Sequence, residues 1–245
     1  MLAIYKREMR TYFTTWIGYI FLAIAVAVSA FIFCLSTFLY GTGSSDTSSY
    51  FSMMTYIMII FIPILTMRSF SEERKQKTEV LLMTSPVSSL SVVLGKYLSA
   101  LTMFIIYLVI SLINLIPLCA FATYDTITDT ININGAIIFG NFFALFLLGA
   151  AFIAIGVFVS SLTENQFASI VITIAALLVF MLLGSVNNFI ENESVRRILS
   201  CFSIYSRFLS FTHGIFDYTA LIYYIMLTGL FVFMTTRVYS ARRSN

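Results

Sequence analysis

Six long windows of this chain carry no charged residue: 11–45, 47–67, 97–124, 130–163, 165–190 and 218–236. A helix needs roughly 20 apolar residues to cross the hydrocarbon of a bilayer, so each window holds one span. The expected spans are about 15–40, 48–68, 97–122, 134–161, 166–187 and 219–239. Only 10% of residues are charged, against about 25% in an average soluble domain, too few to clothe a surface in water. A β-barrel would alternate apolar and polar residues along each strand, whereas these runs are continuously apolar. The chain reads as an all-α integral membrane protein with six transmembrane helices, one domain over residues 1–245.

An even number of spans puts both termini on one side. That side holds Lys6, Arg7, Arg10, the basic residues between 68 and 96, Arg237, Arg242 and Arg243, eleven of the fourteen basic residues. The other holds Arg196, Arg197 and Arg207. Basic residues stay cytoplasmic, so the termini are expected in the cytoplasm. The net charge of +3 reflects this topology and implies no nucleic-acid partner. Val28-Ser29-Ala30 resembles a signal cleavage site, but the apolar run passes straight through it, longer than a signal h-region. It reads as a retained span. Cys34, Cys119 and Cys201 are scattered, with neither disulfide nor metal spacing.

Residues 1–14 mix Ile4, Met9, Tyr12 and Phe13 with Lys6, Arg7, Glu8 and Arg10, which suits an amphipathic helix on the bilayer surface. Ordinary basic flanking of a first span explains the same charges. Pro63 should kink the second span. Span 4 is rich in small residues, with Gly156 and Ser160, or Ala150 and Ala154, at helical spacing for close packing. Asn114 and Asn141 are the candidate pathway residues, although interhelical hydrogen bonding, worth about 0.6–2 kcal/mol, explains buried amides equally well. Residues 188–217 alternate charges with Ile198, Leu199, Phe202, Ile204, Phe208 and Leu209, predicting one or two external amphipathic helices between spans 5 and 6.

Residues 68–96 break the pattern. RSFSEERKQKTEVLLMTSPVSSLSVVLGK holds eight of the twenty-five charged residues: Arg68, Glu72, Glu73, Arg74, Lys75, Lys77, Glu79 and Lys96. Such an island between two spans is expected in water or at the lipid surface. Thr78 suits a helix N-cap, Glu79 the first turn, and Val80, Leu81 and Met83 an apolar face for a partner groove. Pro86 stops that helix, and Ser85 before it is disfavoured from helical geometry.

Chemistry of the chain's own is hard to find. Lys96 follows Gly95, but Tyr97 follows it and Leu90 stands where a phosphate-cradling loop needs glycine. His213 is the single histidine, short of the paired ligands of a zinc protease. No carboxylate lies deep in a span to relay protons. The chain therefore reads as a pathway or scaffold without its own energy source, and energy is expected from elsewhere. A lipid-modifying enzyme is disfavoured because no His, Asp or Cys cluster shares a face.

The island resembles the segment between spans 2 and 3 of ABC-2 type transporter permeases: an acidic-basic run, Thr-Glu, a Leu pair, a Thr-Ser-Pro turn, then Gly-Lys. The matching residues are Glu72, Glu73, Thr78, Glu79, Leu81, Leu82, Thr84, Ser85, Pro86, Gly95 and Lys96. YKREMRTYFTTWIGYIF resembles the family's amphipathic entry. Ser206-Arg207-Phe208, Gly214-Ile215-Phe216-Asp217 and Arg237-Val238-Tyr239 resemble the subgroup of gliding motility and nitrous-oxide-reductase maturation. Two departures stand out: Lys77 where the family usually has Gly, and Thr15-Trp16 where it often has Pro.

The resemblance implies a permease subunit of an ATP-driven exporter in a bacterial cytoplasmic membrane, paired with a second copy or paralogue. It implies a cytoplasmic coupling helix that meets separate ABC ATP-binding subunits through Glu72, Glu73, Thr78, Glu79, Leu82, Thr84, Ser85 and Pro86. No cofactor is expected on this chain; ATP and Mg would bind the partner ATPase. The alternative is a membrane anchor that passes ATPase motion to another machine without translocating substrate.

Overall fold

The computed structural model describes residues 1–36, 48–77, 87–116, 124–125, 130–131, 135–186, 204–212 and 217–244. The amphipathic segment is helix α1 (Leu2–Thr14). Six helices long and apolar enough to cross a membrane follow. They are α2 (Trp16–Cys34), α3 (Ser48–Thr66) continued by α4 (Arg68–Lys75), α5 (Ser89–Ser111), α6 (Gly135–Leu162), α7 (Gln166–Val186) and, after a short α8 (Ile204–Thr212), α9 (Tyr218–Ser244). Between α5 and α6 a two-residue antiparallel ladder, β1 (Tyr124–Asp125) and β2 (Thr130–Ile131), pairs Tyr124 with Ile131. The all-helical membrane architecture stands.

Helix α6 is the hub. It is the most buried span and touches α3, α4, α5, α7, α8 and α9. Its glycines make the approach possible. A Cβ on Gly149 would lie 2.2 Å from the Phe104 ring of α5, and one on Gly156 would lie 2.2 Å from Thr66 Oγ1 of α3. Lipid offers helices no hydrophobic reason to associate, so this close backbone packing does the work.

Pro63 sits inside α3, whose regular helix ends three residues later at Thr66. Proline has no N–H to donate to the turn before it, yet helical bonding continues past it: Met67 N–H donates to the Pro63 carbonyl at 2.8 Å, and α4 begins at Arg68. Ser160 of α6 bridges the break. Its Oγ accepts from Phe70 N at 3.1 Å and Ser71 N at 3.3 Å and donates to Met67 O at 3.2 Å. A side chain from another helix thus fills the capping role that Met67 cannot. Arg74 returns the service, donating to the Ser161 and Thr163 carbonyls at the C-terminal end of α6, where a cation suits the helix dipole.

Three boundaries move. The third span, expected from residue 97, begins at Ser89, because Ser88 is extended and its Oγ accepts from Ser91 N at 3.4 Å. This carries Lys96 out of the expected aqueous island and into a helix. Residues 68–75 are likewise not a free loop: they form α4, with Ser69, Phe70 and Ser71 buried. The last helix runs on to Ser244 and takes Arg237, Arg242 and Arg243 with it.

Of the 188–217 segment, Ile204–Thr212 is helical. Ile204, Phe208 and Phe211, at i, i+4 and i+7, are buried against the bundle, and the Ile204 carbonyl accepts from Tyr224 OH at 2.9 Å. Arg207 stacks over the Tyr223 ring at 4.6 Å, and its Nη1 donates to Thr219 Oγ1 at 3.4 Å. Asp217 caps α9 by accepting from Thr219 N at 2.8 Å; that hydrogen bonding, the Thr219 hydroxyl first, holds its carboxyl below the usual range. Residues 187–203 and 213–216, with Cys201 and His213, lie outside the described residues, as do Pro117 and Cys119.

Candidate functional site

Helices α1, α4 and α5 meet on the side that carries the termini. The amphipathic pattern of α1 explains its seat: Ile4 is buried against α5, and the bare backbone of Gly95 receives it. A Cβ there would stand 3.0 Å from Ile4 Cγ2. One turn along α1, Glu8 faces the residue that follows Gly95. The Gly95-Lys96 pair therefore has two jobs, one steric and one electrostatic.

Lys96 is 1% exposed. An ammonium so buried must be compensated, and the compensation is dense. Nζ lies 3.1 Å from Glu8 Oε1 and 3.0 Å from Glu73 Oε2. It donates to Ser69 O at 2.5 Å and stands 5.1 Å from the Phe70 ring. Three of these contacts come from α4 and one from α1. Arg7 closes the cluster, donating to Glu8 Oε1 at 3.2 Å and to Glu73 Oε1. Burial of the Arg7 guanidinium disfavours its charge, but Glu73 and Glu8 outweigh that and raise its pKa. Burial also pushes the neighbouring Tyr12 phenol up, keeping it a donor: its OH bonds to Leu65 O at 3.3 Å.

The cluster stands at the root of the segment read as a coupling helix. Lys77, which follows α4, takes φ +56°, the left-handed conformation that costs an L-residue roughly 1–2 kcal/mol. Its N–H donates to Arg74 O at 2.9 Å, as in a helix C-terminal motif. Glycine is free of that penalty, which gives a physical reason for the glycine that the family resemblance implies at this place. At the far root, the Val87 carbonyl accepts from Arg243 Nη1 of α9 at 2.5 Å. Chain ends from α1, α4, α5 and α9 therefore converge on the two anchors of residues 78–86.

Of the expected contact residues, Glu72 and Glu73 are described. Glu72 takes both Arg68 Nε and Nη2 at 2.5 Å, and Glu73 takes Lys96 and Arg7. Thr78, Glu79, Leu82, Thr84, Ser85 and Pro86 lie outside the described residues. The candidate pathway amides differ from each other. Asn114 Nδ2 donates to Ser29 Oγ at 3.0 Å, joining the 3-10 turn that follows α5 (Leu112–Asn114) to α2. Asn141 is fully buried in α6, with no hydrogen-bond partner for Nδ2 or Oδ1 among the described residues. Neither lines the apolar hollow of about 330 Å³ between α5 and the start of α6, whose walls include Leu108, Leu112, Phe139 and Phe143. Among the described residues no group of His, Cys, Asp and Glu could hold a metal ion.

Sequence reasoning missed Arg7, Glu8 and Lys96 as a unit. The available signal was a lysine seven residues into a helix that Ser88 can start, which obliges a carboxylate nearby. A family model described as ABC-2 family transporter protein matches residues 36–238. No curated protein matches the chain.

Proposed function

The chain belongs to the ABC-2 transporter family, the membrane permease component of an ABC system, and on that footing we propose that it is the permease subunit of an ATP-driven exporter. Separate ATP-binding subunits, carrying ATP and Mg, dock on residues 78–86. Thr78, Glu79, Leu82, Thr84, Ser85 and Pro86 make the contact, and Glu72 and Glu73 hold its root. The termini and this segment face the cytoplasm of a bacterium, in keeping with the distribution of basic residues. A second copy or paralogue covers part of the bundle, whose outer helices α2, α7 and α9 bury 28%, 22% and 17% of their apolar windows within one chain. The resemblance of Ser206-Arg207-Phe208, Gly214-Ile215-Phe216-Asp217 and Arg237-Val238-Tyr239 supports placing it in the gliding-motility and nitrous-oxide-reductase-maturation subgroup.

One observation carries the mechanism. The segment hangs between α4 and α5, and Lys96–Glu73 ties those two helices together at its root. A push on residues 78–86 therefore moves α3–α4 and α5 as one unit, and α1 follows through Glu8. Packed ends linked in this way pass on a rigid-body displacement instead of absorbing it. The second reading, an anchor that transmits motion without transport, uses the same linkage. Glu79→Lys tests the docking: loss of ATPase copurification is expected, and an intact complex with unchanged ATPase coupling refutes it. Substrate-dependent flux in liposomes separates transport from anchoring.

A further inference from the structure

The elbow between α1 and α2 and the flank of α4 enclose a cleft of about 30 Å³ whose walls include Glu8, Thr11, Thr15, Ile17, Arg68 and Glu72. We propose that this cleft binds the headgroup of a phospholipid bearing a primary amine, in the leaflet that α1 lies on.

Depth argues for lipid. The apolar run of α2 begins at Trp16 and that of α3 ends at Met67, so Thr15 and Arg68 stand together at the hydrocarbon boundary. Trp16 is 81% exposed and Tyr19 57% exposed beside them, the aromatic signature of the interfacial layer. From the cleft, Ile17, Ile20 and Ile24 form an exposed stripe up α2, a track for an acyl chain attached to whatever the cleft holds.

Hydrogen bonding and charge argue for the amine. A primary ammonium brings N–H donors to a carboxylate oxygen, and a trimethylammonium brings none. Glu8 commits Oε1 to Arg7 and Lys96, and its Oε2 has no hydrogen bond among the described residues. Arg68 spends Nε and Nη2 on Glu72, which leaves Nη1 as a donor, and the half-buried Thr15 hydroxyl is also without a partner there. A guanidinium with spare N–H groups at headgroup depth suits phosphate oxygens. Cation acceptors and phosphate donors thus lie side by side. The surrounding charges, Arg7, Arg68 and Lys96 against Glu8, Glu72 and Glu73, sum to zero, so a zwitterionic guest leaves the site neutral, whereas a simple anion or cation would not.

The test compares lipids that differ only at nitrogen. The purified full chain is mixed with equal amounts of phosphatidylethanolamine, its N-methyl and N,N-dimethyl forms, and phosphatidylcholine. Retained lipid is then counted by native mass spectrometry. Retention should fall with each methyl, by about tenfold from first to last, the discrimination one charge-assisted hydrogen bond provides. Glu8→Gln should shrink that ratio, and Arg68→Gln should weaken all four lipids alike because the phosphate is common to them. Equal retention of the four lipids by the unmodified chain overturns the proposal, and it needs no variant to fold. An unchanged ratio in a folded Glu8→Gln chain also overturns it.

Discussion

Replacing Lys96 with methionine removes one ammonium and keeps the length of the side chain. Glu8 and Glu73, with side chains 16% and 13% exposed, are left facing each other with Arg7 as their remaining cation. The Ser69 carbonyl loses a donor and the Phe70 ring its cation. Breaking a buried ion pair from one side costs about 3–5 kcal/mol because the abandoned charge stays buried. The carboxylates here reach some water and keep Arg7, so we set the cost at about 2–4 kcal/mol. The triple variant Glu8→Gln, Glu73→Gln, Lys96→Met should recover most of it, since the one charge it leaves, Arg7, is half-exposed to water. SDS titration of the detergent-solubilised chain, followed by circular dichroism, measures both. The same variants report on coupling: Lys96→Met should lower the ATPase stimulation that the permease gives its partner even where complex formation persists. A cost below about 1 kcal/mol, or a triple variant no more stable than the single one, would refute the clasp.

Two further outcomes follow from local geometry. Lys77→Gly should stabilise the fold by up to about 1 kcal/mol, the left-handed penalty less the backbone entropy of glycine; the same titration would show a loss if the turn were not left-handed. Asn141→Leu removes a buried amide that has no partner among the described residues, so it should stabilise this conformation by about 1–3 kcal/mol. If Asn141 finds its partner in another conformation during transport, flux should fall in the same variant, whereas unchanged flux assigns it no part in the pathway.

The spans were legible because bilayer thickness translates directly into residue counts. The expected 134–161 became Gly135–Leu162, and 166–187 became Gln166–Val186. The family resemblance rested on short strings of residues whose order, more than their chemistry, was informative. Lys96 shows where such reading stops. Charge was taken as a marker of water, which holds when the charge has no partner nearby. Its partners lie 88 positions away in Glu8 and 23 in Glu73, and only the fold brings them together. A count of the carboxylates expected on that side, Glu8, Glu72, Glu73, Glu79 and Glu164, would have narrowed the choice without deciding it. Ser160 was legible as a small residue at a packing face. Its bonds to the break after Thr66 were not, because only the fold brings α6 beside the α3–α4 junction.

That bridge has a consequence for biogenesis. Every partner of Lys96 precedes it in the chain, so the clasp can close as soon as α5 leaves the ribosome. The break at Met67 has to wait. Ser160 is synthesised 93 residues after Met67, a delay of roughly 5–20 s at ordinary translation rates. During that interval the second span stands in the bilayer without its cap, and insertion of α6 completes it. A ribosome stalled between the two should leave a nascent chain whose α3–α4 junction still frays, while α1, α4 and α5 are already locked together.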